Sequence, residues 1–245
     1  MMDKQNKREP TYEEKKKRVR FAWSHKDKDA TAWKRHLQGV GDIKEFTWYP
    51  RWMRPSFARL RCKRTIMSKK ERKKGPFQRP KKWYPRKHWQ HVRKQKLFAL
   101  TTSNGQVLTI LIPKPYNKHV WAGLVNTKLA PFLKRAFPEK RSFMILLDGE
   151  KVFRAPVAKA AMAAHGISLI RGYPPNSAEL NPQENVWPIA EKTLRKLERK
   201  NSTFEAFGKN IQEAVKLYPS PEKLVGGMAK RCQACIKRHG DFLDW

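Results

Sequence analysis

The spacing of apolar residues predicts a hairpin, a helix and a buried strand in the middle of the chain. Two β-rich runs, Lys96–Thr102 and Gln106–Ile112, are joined across the turn signal at 103–105 and predict the hairpin. Residues Lys118–Phe137 then place apolar side chains at helical spacing. The short, continuous apolar run Phe143–Leu147 is typical of a strand buried on both faces.

Further elements are predicted on either side of this region. Downstream they are a helix at Ala155–His165, a strand at Ile167–Ile170, a loop at Tyr173–Leu180, and helices from Asn181 to about Lys200, at Thr203–Leu217 and at Pro221–Arg238. The helix after the loop has three start signals: a capping Asn181, Pro182 at the first helical position and Glu184 at the third. Upstream, Ile43–Tyr49 predicts another strand, with Asp42 at its start.

A strongly basic, irregular stretch separates that first strand from the hairpin. Residues 51–100 hold 19 Lys and Arg and a single acid, Glu71, and no acid follows before Glu139. This stretch also contains prolines and aromatic residues, and its apolar residues follow neither the helical nor the strand period. Such cations favour phosphate contact, and the aromatics either stack on unpaired bases or form a satellite core under a solvated loop. The predicted DNA-binding residues are Arg61, Lys63, Arg64, Lys69, Lys70, Arg72, Lys73, Lys74, Lys81, Lys82, Arg86 and Lys87.

The composition of the whole chain points to a polyanionic partner. Its 55 Lys and Arg against 21 Asp and Glu give a net charge of +34, while 39% hydrophobic residues are enough for a folded core. Nucleic acid is the first expectation, ahead of an anionic membrane surface and an acidic protein. No apolar run approaches the ~20 residues that a membrane span needs, so no membrane span is expected.

Cysteine usage and basic clusters bear on location. Cys62, Cys232 and Cys235 cannot all pair with one another, which favours an intracellular, reduced protein. Cys232 and Cys235, with His239 nearby, could form half a zinc site, but small buried residues on a C-terminal helix are the preferred interpretation. The runs Lys15–Arg18 and Lys69–Lys74 are either import signals or solvated cations. The expected location is the nucleus in a eukaryote, and otherwise the cytoplasm or nucleoid.

Three carboxylates occupy positions that suit chemistry. Asp148 follows a buried strand, where sites form in open α/β sheets, Asp42 opens the first strand, and Glu184 lies in the first turn of a helix. Each also has a structural interpretation, as a turn residue or as part of a helix cap. In a chain so poor in acids, with a polyanionic partner, their combination favours divalent metal, which neutralises carboxylates near phosphate.

Two segments and their spacing resemble a known enzyme family. Leu146–Glu150 and Pro174–Trp187 look like the second and third catalytic blocks of the mariner-like superfamily of transposases, with thirty-five residues between Asp148 and Glu184. The third block, with its Leu-Asn-Pro-x-Glu-Asn-x-Trp ending, is the most specific match. In the weaker first block, Gly41–Trp48, the Asp is followed four residues later by Phe.

The resemblance implies a fold, a reaction and partners. The fold would be α/β, a ribonuclease-H-like mixed five-stranded sheet flanked by helices, with a basic insertion at 51–95. Asp42, Asp148 and Glu184 would form a catalytic triad that holds two Mg²⁺ or Mn²⁺ ions, for DNA strand cleavage and strand transfer. Asn181 and Pro182 would set the helix that aims Glu184, and Trp187 would anchor it. The partner would be double-stranded DNA, as element ends and target, and a homodimer is a possible assembly.

Departures from the family pattern leave alternatives open. Gly149 stands where relatives usually have Asn, Ala178 stands where they have Pro, and the usual helix-turn-helix region has no counterpart before Asp42. The expected division is a basic helical linker at 1–38, a catalytic domain at 39–218 and a C-terminal helical extension at 219–245. A domesticated or inactive relative that binds DNA without cutting is the main alternative. An unrelated basic scaffold protein is the third hypothesis, against which the third block argues.

Overall fold

The structure, a computed structural model, describes residues 9–49, 92–197 and 203–243. All the predicted DNA-binding cations of the basic insertion lie outside the described residues, as does Cys62. Their roles therefore remain predictions.

A mixed five-stranded sheet forms the centre of the fold. Its strands are β1 (Gly39–Trp48), β2 (Arg93–Thr102), β3 (Val107–Ile112), β4 (Phe143–Leu147) and β5 (Ile167–Leu169). Their order across the sheet is β3-β2-β1-β4-β5. The β1-β2 and β2-β3 pairs are antiparallel, and the β1-β4 and β4-β5 pairs are parallel. The predicted hairpin, the buried strand and the mixed five-stranded sheet are confirmed.

Helices cover both faces of this sheet. They are α1 (Tyr12–Trp23), α2 (Ala30–His36), α3 (Lys118–Leu124), α4 (Ala130–Ala136), α5 (Lys151–Arg154), α6 (Pro156–Ala163), α7 (Val186–Leu197), α8 (Phe204–Lys216), α9 (Pro221–Leu224) and α10 (Met228–Lys237). A π-helical turn, Val125–Leu129, joins α3 to α4, so the predicted helix at 118–137 is present with one irregular turn.

The alternation of side chains along β2 shows why the core has two halves. Leu97 and Ala99 point into one apolar cluster, with residues of α1, α2, α7, α8 and α10, whereas Phe98 and Leu100 point into the other, with residues of α3 to α6. Successive side chains of a strand face opposite sides of the sheet, and here both sides are buried. The predicted 1–38 and 219–245 segments both contribute to the first cluster, through Phe21, Trp33, Val225 and Cys235 among others. The predicted domain boundaries remain a prediction.

The hairpin turn follows from the local sequence. The Thr102 amide donates to the Gln106 carbonyl at 2.9 Å, and the Gly105 amide donates to the Thr102 carbonyl at 3.1 Å. Gly105 has φ +88°, a left-handed conformation that glycine adopts without a steric penalty. The turn signal therefore closes the hairpin at the predicted place.

The first strand begins earlier than the sequence pattern predicts. β1 starts at Gly39, so Asp42 lies within the strand and not at its start, which corrects the prediction. A Cβ atom on Gly41 would lie 2.9 Å from a methyl group of Leu147. The close approach of β1 and β4 thus requires glycine here, and glycines weaken the apparent strand signal of a sequence.

The predicted helix from Asn181 also begins differently. Pro182–Asn185 form a 3₁₀ turn and the α-helix starts at Val186. Asn181 is the cap, as predicted, and accepts from the Gln183 amide at 3.1 Å. Pro182 lies at the first position of the turn, as predicted.

The two C-terminal cysteines are buried and free on α10. Burial raises the pKa of Cys232 to about 12, which keeps the thiol protonated and disfavours a zinc thiolate. The preferred interpretation of small buried residues is confirmed. Among the described residues, no helix is long and apolar enough to cross a bilayer.

Candidate active site

Strand register brings the first two predicted carboxylates together. Gly41 of β1 is paired with Leu147 of β4, and this is the last pair of the two parallel strands. Asp42 and Asp148 are the next residues on each strand. Neighbouring strands lie about 4.8 Å apart, so the backbones of Asp42 and Asp148 are neighbours at the point where the pairing of the two strands ends.

Asp42 is buried, and both of its carboxylate oxygens accept hydrogen bonds. The indole Nε1 of Trp187 donates to Oδ2 at 2.9 Å, and the Ile43 amide donates to Oδ1 at 2.7 Å. Burial raises the pKa of Asp42 to about 8, the two hydrogen bonds oppose this rise, and the carboxylates of Glu184 and Asp148 add to it. The electrostatic effect of Glu184 and Asp148 on Asp42 indicates that the three acids lie in the same region of the fold.

The segment that holds Glu184 is fixed to the sheet on both sides of that residue. Before it, Asn181 Nδ2 donates to the Gly41 carbonyl at 3.0 Å, and Gln183 Oε1 accepts from Thr101 Oγ1 of β2 at 3.0 Å. After it comes the bond from Trp187 to Asp42. Asn181, Gln183 and Trp187 are completely buried. Glu184 itself is half-buried and lies between these anchors.

A buried tyrosine, Tyr173, lies near the candidate acids. Tyr173 donates its hydroxyl to the Ser177 carbonyl at 2.6 Å. Burial raises its pKa well above the usual value, and Asp148, Glu179, Asp42 and Glu184 raise it further. The start of the loop at 173–180 therefore lies near the candidate carboxylates.

The oxygen donors suit hard divalent cations, and their mutual repulsion is what such an ion would relieve. The side chains are not in ligand positions, however. Across residues 9–49, 92–197 and 203–243, no three His, Cys, Asp or Glu side chains are arranged to hold a metal ion. The neighbouring backbones of Asp42 and Asp148 therefore do not by themselves complete a metal site among the described residues.

A buried arginine that the sequence interpretation missed holds this loop. Arg18 of α1 is completely buried, donates to Ser177 Oγ at 2.9 Å and pairs with Glu179. Arg231 of α10 donates from the other side to the Glu179 carbonyl at 3.1 Å. Arg18 had the sequence context of an import signal or a solvated cation, and the solvated interpretation is wrong for this residue. The one hint of a buried cation in the sequence was Glu179, the acid of the third block that is not a candidate catalytic residue.

Two other acids, Glu45 and Glu150, lie near the candidate triad in the sequence. Glu45 forms an exposed ion pair with Lys94 at 2.6 Å across β1 and β2. Glu150 directly precedes α5. Burial raises the pKa of Tyr116, and the charge of Glu150 raises it further. Neither residue is among the acids that raise the pKa of Asp42.

Comparison with known families decides the ancestry. A family model described as DDE superfamily endonuclease matches residues 62–207, more than half of the chain. The chain belongs to the DDE superfamily endonucleases. The match includes Asp148 and Glu184, whereas Asp42 lies before it. A search of curated protein sequences finds no match.

Solved structures show the fold of this DDE superfamily member. The catalytic domain of Mos1 mariner transposase is 12% identical, with a TM-score of 0.57, and the alignment covers 95% of this chain and 94% of that one. A Mos1 paired-end complex with Mg gives a TM-score of 0.64 at 14% identity, covering 95% and 63%. A Mos1 paired-end complex with the left transposon end gives 0.62 at 15%, covering 94% and 63%.

The family model confirms the predicted DDE ancestry, and the solved structures confirm the predicted ribonuclease-H-like fold class. This DDE superfamily chain spans about 63% of the length of the Mos1 chains in the paired-end complexes, and nearly all of the Mos1 catalytic domain. The roles of individual residues stay predictions.

Proposed function

We propose that this chain is a transposase catalytic domain that cleaves DNA strands and joins them to target DNA through Asp42, Asp148 and Glu184. The observation that carries the proposal is the convergence of these acids at the point where β1 and β4 part. Membership in the DDE superfamily endonucleases supports the reaction class. The solved Mos1 complexes with transposon-end DNA, Mg and Mn support DNA and divalent metal as partners.

Asp42, Asp148 and Glu184 would hold the metal. Bound Mg²⁺ or Mn²⁺ would supply Lewis-acid activation of a water or a 3′-hydroxyl and would offset charge at the phosphate. The remaining work belongs to the protein. Trp187 fixes one oxygen of Asp42 by its hydrogen bond and so limits how that carboxylate can turn. Asn181 ties the 3₁₀ turn to Gly41 and sets the position from which Glu184 reaches the site.

One observation favours the alternative of a DNA-binding relative that does not cut. In the described part of the chain, the acids do not form a cluster with ligand geometry. A relative that has lost cleavage would still bind DNA through its positive charge. The two functions differ in whether metal binds and whether strands break.

A nicking assay on supercoiled plasmid with Mg²⁺ or Mn²⁺ separates them. We expect the natural chain to nick the plasmid. The nicking rate should fall by more than about 100-fold in each of the variants Asp42→Asn, Asp148→Asn and Glu184→Gln. Even the loss of a group that only supports a metal ligand costs about 10- to 100-fold. Glu45→Gln is the matched control, an exposed acid of β1 outside the cluster, and should nick normally. Mn²⁺ titration of the same proteins gives a second readout that does not require turnover.

If the natural chain and Asp148→Asn neither nick nor differ in Mn²⁺ affinity, yet bind DNA equally well, the transposase proposal fails and the non-cutting relative is supported. If Glu45→Gln lost as much nicking activity as the variants of Asp42, Asp148 and Glu184, the assignment of these three acids would be refuted.

A further inference from the structure

A basic cleft opens beside the candidate active site, at the free edge of the sheet. It has a volume of about 410 Å³ and lies along β5, the last strand of the sheet, and α6. Leu147, which directly precedes Asp148, is part of its wall. The buried Tyr173, which lies near the candidate carboxylates, is another part of its wall. The cleft therefore adjoins the site and contains none of the three candidate acids.

The charged groups of the cleft all have the same sign. Arg154, Lys159 and Arg171 line it, all three are exposed, and no acid lines it among the residues that the structure describes. They come from three different segments: the end of α5, the middle of α6 and the turn after β5. Among the ion pairs between described residues, none involves these three cations. Three segments thus converge on one cleft with uncompensated positive charge.

The shape and lining of the cleft restrict what fits. Its apolar wall includes Met162, Ile167 and Ile170, and the turn leaves open space at Gly172, which has φ +72°. The volume accommodates a unit about the size of a nucleotide or a small ligand, since ligand sites typically span roughly 300 to 1,000 Å³. A cationic rim around an apolar wall suits a sugar-phosphate chain, which presents anionic and apolar parts in turn.

Electrostatics favours the same occupant. Carboxylates that act on a phosphodiester also repel the neighbouring phosphates of the strand. Cations placed next to them compensate this repulsion and raise the local concentration of a polyanion. Arg154, Lys159 and Arg171 are suitably placed among the described residues, beyond the end of β4.

We propose that this cleft binds the phosphate backbone of the DNA strand that passes the candidate active site, with Arg154, Lys159 and Arg171 as phosphate contacts. The inference rests on the proposed DNA-cleaving function and adds a second DNA surface to the basic insertion. It assigns phosphate contact, not base recognition, to the cleft, so its contribution is independent of DNA sequence.

Salt-dependent DNA binding of the full chain tests the proposal. The cleft variant combines Arg154→Gln, Lys159→Gln and Arg171→Gln. The control combines Lys216→Gln, Lys230→Gln and Lys237→Gln, which removes the same charge from exposed positions of α8 and α10 outside the cleft. Affinity for a fluorescent duplex is measured by anisotropy over a series of KCl concentrations, and far-UV circular dichroism checks that both variants are folded.

The slope of log affinity against log salt is negative, and we expect its magnitude to fall by about 2 to 3 in the cleft variant, since each lost phosphate contact removes roughly 0.9. The control should change the slope by less than about 1. Equal slopes in the two triple variants would overturn the proposal, even if the natural chain nicks DNA. A cleft-specific fall in slope in a chain that does not nick would support the DNA surface and refute the cleaving function.

Discussion

Replacing Arg18 by methionine removes the side chain that joins α1 to the loop before Glu184. Its Nε donates to the Gly240 carbonyl at 2.7 Å, Nη1 donates to the Asn176 carbonyl at 3.2 Å and to Ser177 Oγ at 2.9 Å, and Nη2 donates to the Asp241 carbonyl at 3.1 Å. Nη2 also pairs with Glu179. One guanidinium thus satisfies acceptors from two segments, the loop at 176–179 and residues 240–241.

The expected cost follows from these contacts. Each hydrogen bond contributes about 1 kcal/mol net, and removing one partner of a buried ion pair costs about 3 to 5 kcal/mol because the other charge stays buried. The methionine side chain recovers part of the lost packing. We therefore expect Arg18→Met to lower the free energy of unfolding by about 3 to 5 kcal/mol.

Urea unfolding followed by circular dichroism measures this change. Arg20→Met is the matched control, since Arg20 is an exposed arginine of the same helix, and it should stay within about 0.5 kcal/mol of the natural chain. Adding Glu179→Leu to Arg18→Met should restore part of the loss by removing the unpaired acid. A loss below about 1 kcal/mol in Arg18→Met, or one equal to that of Arg20→Met, would show that the buried pair does not stabilise the loop.

Three further predictions concern the strand junction, the carboxylate support and pH. Gly41→Ala places a Cβ 2.9 Å from a methyl group of Leu147 and 3.1 Å from the Ala99 carbonyl. Urea unfolding should therefore show a free energy of unfolding that is lower by about 1 to 3 kcal/mol. The control Gly123→Ala has open space around it and should be neutral or slightly stabilising. Trp187→Phe removes the 2.9 Å hydrogen bond to Asp42 Oδ2, and Mn²⁺ titration should show a metal affinity about 10- to 100-fold lower. An unchanged affinity would contradict the role of Trp187 in positioning Asp42. Burial lowers the pKa of His25 below 6.5, so the unfolded chain takes up the proton first and stability should fall as pH drops through 6.5. His25→Phe should weaken that dependence in urea unfolding at several pH values, whereas His119→Gln, at an exposed position, should not.

Local patterns were enough to predict much of the sheet. The hairpin turn at Gly105 and the apolar run Phe143–Leu147 depend on neighbouring residues alone, and both are confirmed. Asp148 could be placed at the end of its strand for the same reason. The third block indicated the capped turn before Val186, although its 3₁₀ geometry depends on anchoring to β1 and β2 and not on local propensity.

Other parts of the site depend on contacts between distant residues. Arg18 looks like a member of a basic run, and its burial follows from partners at Ser177, Glu179 and Gly240 that lie far along the chain. The early start of β1 was hidden because Gly41 has no side chain to contribute to an apolar pattern. Whether the carboxylates face one another is a matter of side-chain torsions, which a sequence pattern does not encode.

The parting of β1 and β4 after Gly41 has a consequence for how this site could evolve. The pairing of the two strands ends here, and Asn181 attaches the segment that carries Glu184 to β1 through a hydrogen bond to the Gly41 main-chain carbonyl. The spacing of these three segments is therefore set by the backbone and does not depend on which side chains follow. The acids at these positions could therefore be exchanged while the backbone arrangement that places them stays the same.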